Sequence, residues 1–176
     1  MSTLKMIALA GLVLPAAASA QDGPGLGEPL TAEQVAALDF VVMPDGSGLP
    51  DGSGDARTGA ELYRQHCLAC HGENGRDGVS DALAGGHGTI EGPVPEKTVG
   101  SYWPYATTVF DYIRRAMPYQ EPGSLSEDEV YALTAYLLYL NEIVDEDQVL
   151  DRATLPAVRM PNRDNFVWAF EARQGR

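Results

Sequence analysis

The chain has 176 residues and a net charge of −13, from 12 basic and 25 acidic side chains. That length suits one folded domain, and the acidity argues against a phosphate backbone as partner, because like charges repel. Its 19 glycines and 12 prolines imply long irregular segments beside whatever helices form.

Residues 1–20 read as a signal peptide. Lys5 gives a positive start, "MIALAGLVLPAAA" is an apolar run, and "ASA" is a small-residue cleavage site, so the mature chain is expected to begin at Gln21. The run is short for a membrane span, and no later stretch is apolar enough for one. The mature protein is therefore expected to be soluble in an exported compartment. Residues 21–54 form an N-terminal extension. Within it "TAEQVAALDF" predicts a short helix, opened by a capping box between Thr31 and Gln34. "VVMPDGSGLPDGSGD" follows as a turn-rich connection.

A core domain is expected over residues 55–145. Its first helix runs from about Asp55 to Cys70, capped by Asp55 or Ser53. Ala56, Ala60, Tyr63 and Cys67 line one stripe, and Gly59 near that stripe lets another helix approach closely. The helix leads into "YRQHCLACHGENG", which holds both cysteines of the chain, Cys67 and Cys70, followed directly by His71. In an exported protein a cysteine pair normally oxidises, and two intervening residues is the spacing of a redox disulfide. That reading also wants a strand before the motif and a βαβ pattern, and neither is visible. A zinc site wants further strong ligands, and there are no more cysteines. Cys-x-x-Cys-His is instead the attachment pattern of c-type haem. Positions i, i+3 and i+4 share a helix face, so two thiols can hold the edge of one covalent haem while His71 binds its iron.

A sixth iron position remains. The candidates are Met43, Met117, Met160, His66 and His87. Met117 is preferred for two reasons. It ends an apolar helical stripe of Val109, Phe110 and Ile113, and Pro118 bars Met117 itself from the helical conformation. The thioether is then free to project from the helix end toward the iron, and such ligation suits electron transfer. The plainer alternative is that Met117 fills core. Met43 and Met160 lie in loops, and His66 occupies a different azimuth of the helix from His71.

Residues 72–101 predict a long loop, a length more usual where a chain wraps something. Tyr102 and Trp103 precede the helix that ends at Met117 and are candidates to pack on the haem or to bond its propionates; ordinary core packing is the competing reading. "SLSEDEVYALTAYLLYLNEIV" is the clearest helix, with a capping box between Ser126 and Glu129. Its stripe of Val130, Leu133, Leu137 and Leu140 is expected to cross the first core helix near Gly59 and Tyr63. Residues 146–176 read as an extended C-terminal tail, pinned by Phe166 and Trp168. The fold class is all-α.

Helix, haem motif, loop, methionine and closing helix follow one another as in class I cytochromes c, which the chain resembles over roughly residues 55–145. "MPDGSGLPDGSG", "TVGSYWPYATTVFDYIRRAMPYQEPGSLSEDEVYALTAYLLYLN" and "MPNRDNF" look like the haem subunits of bacterial sulfite and sulfane dehydrogenases, from about Leu30 to Phe166. The resemblance implies a class I cytochrome c fold, with helices and long loops around one haem c. It also implies an electron-accepting role beside the molybdenum subunit of a periplasmic sulfite dehydrogenase, with delivery to a downstream cytochrome c or oxidase. The alternatives are a labile sixth site used for ligand binding or sulfur redox catalysis, or service to another periplasmic dehydrogenase. Two departures from the pattern are plain. "GVSDALAGG", the stretch some dozen residues after the haem histidine, has no proline to supply the carbonyl that orients it in many members of the family, and Lys97 is the only lysine after the leader, so docking through a lysine ring is not expected. Arg64, Arg114 and Arg115 are the residues left to form a local basic patch.

Overall fold

The computed structural model describes residues 26–167. The signal peptide, the expected mature start at Gln21 and Trp168 lie outside the described residues. The chain divides into two units, Met1–Leu38 and Asp39–Arg176. The first contains helix α1, Ala32–Leu38. Its capping box is reciprocal: Gln34 N–H donates to Thr31 Oγ1 at 3.2 Å and Thr31 N–H to Gln34 Oε1 at 2.9 Å.

The second unit contains β1 (Ser53–Gly54), α2 (Ala56–His66), α3 (Leu68–His71), α4 (Ala106–Ala116), α5 (Glu127–Leu140) and β2 (Leu150–Asp151). Asp55 caps α2, accepting from Thr58 N–H at 2.8 Å. Hydrogen bonds to its carboxylate hold the Asp55 pKa below the usual range. Helix α5 begins at the Ser126–Glu129 capping box, and bonds from Ser126 likewise lower the Glu129 pKa.

Helices α2 and α5 cross where the sequence predicts, at Gly59. A Cβ there would lie 2.0 Å from the Ala132 carbonyl oxygen, so only glycine lets the backbones come this close. Gly54 of β1 meets the same residue, with a Cβ position 2.3 Å from Ala132 N.

Helix α5 is buried on almost every side rather than along one stripe: Val130, Tyr131, Ala132, Leu133, Thr134, Ala135, Leu137 and Leu138 are all inside. A helix apolar all round needs cover all round. Segments outside residues 55–145 supply it. Val42 and Leu49 before the core domain, and Leu150, Leu155 and Met160 after it, belong to the same apolar cluster as Tyr63, Phe110 and Leu133. Asp111 on α4 fixes the incoming irregular segment by accepting from Val42 N–H at 3.0 Å. The tail returns to pair β2 antiparallel with β1, Gly54 opposite Leu150. Its burial is carried by Leu155 and Met160, at 0% and 1% exposure, more than by Phe166, whose ring meets Tyr102 edge-on at 5.4 Å. The fold is mostly helical, with this two-stranded ladder as a minor addition.

Candidate functional site

The expected continuous helix through the cysteine motif is broken at Cys67. There the backbone leaves the helical well, at φ −120° and ψ −35°. The Cys67 N–H still bonds the Tyr63 carbonyl at 2.9 Å, while its own carbonyl accepts from both Cys70 N–H at 3.1 Å and His71 N–H at 2.9 Å. This single turn gathers Cys67, Cys70 and His71. Gly72 closes it with φ +73°, a left-handed value that a side chain disfavours. The Tyr63 hydroxyl donates to the Gly72 carbonyl at 2.9 Å and ties the corner back to α2.

Both thiols are unpaired. Burial, reinforced by the neighbouring Cys70, pushes the Cys67 thiol up to about 11. Redox-active cysteine pairs have the opposite character, a depressed thiol pKa, so this environment disfavours a redox disulfide. Asp81 supplies the carbonyl that no nearby proline offers His71: the ring Nδ1 lies 2.9 Å from it. With Nδ1–H donating there, Nε2 is left with its lone pair free to bind a metal.

These groups line one cleft of about 380 Å³. Val109 and Ile113 of α4 and Leu133 and Leu137 of α5 make its apolar interior, and Met117 and Pro118 line it as well. Met117 sits where α4 ends, in extended conformation (φ −124°, ψ 146°), with its N–H still bonded to the Ile113 carbonyl at 3.0 Å. The helix thus stops as Pro118 demands, and the thioether belongs to the cleft.

Trp103 also lines the cleft, its ring edge-on to Tyr112 at 5.7 Å. Tyr102 is not among the lining residues. Its ring faces Phe166, Lys97 Nζ lies 5.0 Å from its centroid, and its carbonyl accepts from Asn162 Nδ2 at 2.8 Å. Of the other sixth-ligand candidates, Met43 is 51% exposed and Met160 is buried in the core. His87 is exposed and outside the cleft, whereas His66, also exposed, reaches its margin. No free basic patch exists on the three arginines considered. Arg114 bonds Glu127 at 2.6 Å, Arg115 pairs with Asp111, and Arg64 pairs with Glu61. Asp81 escaped the sequence because a backbone acceptor carries no residue-type signature.

The chain was compared with known proteins. The family model described as cytochrome C oxidase, cbb3-type, subunit III matches residues 54–137. A chain in the crystal structure of the sulfane dehydrogenase SoxCD from Paracoccus pantotrophus is 42% identical, with a TM-score of 0.77, over 86% of this chain and 75% of that one. The protein is a class I cytochrome c. No curated protein matches the sequence. The cytochrome carries one covalent haem c, and the donor set fits it: two unpaired thiols, an imidazole with one nitrogen already occupied, and a thioether, all on one apolar cleft. Among the described residues no helix is long and apolar enough to cross a membrane.

Proposed function

We propose that this class I cytochrome c is a periplasmic electron carrier, exported by a signal peptide cleaved after Ala20. It accepts electrons from the molybdenum subunit of a sulfite dehydrogenase, or of a sulfane-oxidising relative, and passes them to a downstream cytochrome c or oxidase. Cys67 and Cys70 would hold the haem by thioether bonds, His71 and Met117 would bind its iron, and Trp103 would pack against it. Tyr102 is left out of this set, since its ring is engaged with Phe166.

When bound, the haem supplies a reversible one-electron couple. The polypeptide supplies rigidity. The Asp81 carbonyl fixes the His71 ring, and the last turn of α4 fixes the Met117 backbone. The apolar walls exclude water from the cleft interior. The likeness to a chain of a sulfane dehydrogenase is the observation that carries the choice of partner. The strong acidity of the chain, −13 over its full length, and the pairing of Arg64, Arg114 and Arg115 with carboxylates favour a partner with a basic docking face.

The test is stopped-flow mixing of the oxidised, matured cytochrome with the substrate-reduced molybdenum subunit. Expected is fast, saturating haem reduction that slows as salt is added. Slow, non-saturating reduction would remove this pairing and leave the dehydrogenase partner to be sought elsewhere.

A further inference from the structure

Asn141 lies at the C-terminus of α5, outside the cleft lining, and is only 2% exposed. A buried amide side chain in an apolar setting is costly unless its hydrogen bonds are met. Here they are met by a segment that begins two residues after Asp81. Asn141 Nδ2 donates to the Leu83 carbonyl at 3.1 Å and to the Leu137 carbonyl at 2.8 Å, while Oδ1 accepts from Gly85 N–H at 3.1 Å. Room for this amide depends on Gly100, where a Cβ would stand 2.4 Å from Asn141 Oδ1. The segment is tied at its other end too, with Ser80 N–H donating to the Cys70 carbonyl at 2.9 Å. Between these anchors lies Asp81, whose carbonyl is 2.9 Å from His71 Nδ1.

We propose that Asn141 is a positioning residue for His71: from the end of α5 it holds residues 83–85 in place, and so sets the Asp81 carbonyl to accept from His71 Nδ1–H. The inference rests on the reading of His71 as an iron ligand. A helix end that packs in the core thereby reaches the imidazole through two hydrogen-bonded steps. Loosening the anchor weakens the bond to Nδ1–H, makes the imidazole a poorer donor to iron, and favours the ferrous state.

The test compares the matured wild type with Asn141→Leu and with a control, Leu140→Ala. The control trims an apolar contact next door and leaves the amide network intact. In the ferrous protein, NMR reads hydrogen exchange of His71 Nδ1–H, and voltammetry reads the reduction potential. Expected for Asn141→Leu is exchange about tenfold faster and a higher potential, with neither change in Leu140→Ala. Unchanged exchange and potential in Asn141→Leu, or equal changes in Leu140→Ala, would overturn the proposal. Should Asn141→Leu fail to mature, the wild type decides. Equal protection of His71 Nδ1–H and Gly85 N–H supports a shared anchor, and different protection refutes it. The ligand reading is checked separately by the upfield shift that an axial imidazole takes from the haem ring current. Its absence overturns both readings. Its presence, with exchange insensitive to Asn141, overturns this one alone.

Discussion

Met117 is a residue whose backbone and side chain are set by different neighbours. Its N–H completes the last bond of α4, Pro118 forces it out of the helix, and its side chain lines the cleft that holds Cys67, Cys70 and His71. Replacing it by alanine keeps the first two features and removes the thioether. Met117→Ala is therefore expected to fold and mature, to lose the weak far-red sulfur-to-iron band of the ferric protein, and to bind carbon monoxide when reduced. Optical spectra of the two oxidation states check this. A retained band would transfer the ligand role to another residue. At the same scale, Arg114 and Arg115 show how charge is used up internally. Each is paired with a carboxylate of its own chain, which offsets its charge locally.

At the scale of elements, the contact between α2 and α5 organises the unit. Gly59 lies on the buried face of α2 with Ala56 and Tyr63, and its missing side chain lets Ala132 sit against the α2 backbone. Gly59→Ala gains helix propensity but drives a methyl into a carbonyl oxygen that belongs to a packed helix. Overpacking of this kind typically costs about 1–3 kcal/mol. A fall in the denaturation midpoint of the matured protein is expected. An unchanged or raised midpoint would mean that the crossing opens without penalty. The propensity gain at this position is too small to offset the clash.

At the scale of the molecule, the segments flanking residues 55–145 complete the core, and buried tyrosines register that closure. Tyr131 is fully buried, and its hydroxyl donates to the Pro50 carbonyl at 2.9 Å. Burial first, then the nearby Asp151 and Glu127, push its hydroxyl up to about 12 against the opposing pull of Arg152; Asp51 adds a further upward push. The folded state therefore holds the phenolic proton more tightly than the unfolded chain, whose tyrosines titrate near 10. The resulting stability is complete below pH 10 and is lost as pH rises toward about 12. Denaturation midpoints measured across that window are expected to fall. The fall should be shallower in Tyr131→Phe, which also loses the bond to Pro50. An equal slope in the variant would assign the alkaline sensitivity to other groups.

The sequence by itself determined what depends on a few adjacent residues. The spacing of Cys67, Cys70 and His71, the helix stop at Met117–Pro118, the capping boxes at Thr31 and Ser126, and the close approach at Gly59 were all legible. Each follows from local chemistry: covalent reach, restricted φ, or a side chain folding back three residues. Only the tertiary structure decided that the Asp81 carbonyl faces His71, that Tyr102 turns to Phe166 while Trp103 takes the cleft, and that Leu155 and Met160 hold down the tail. Backbone acceptors look alike in every residue type, and irregular segments carry no hydrophobic period. Their placement is set by which distant surfaces are left to cover once α2, α4 and α5 have packed.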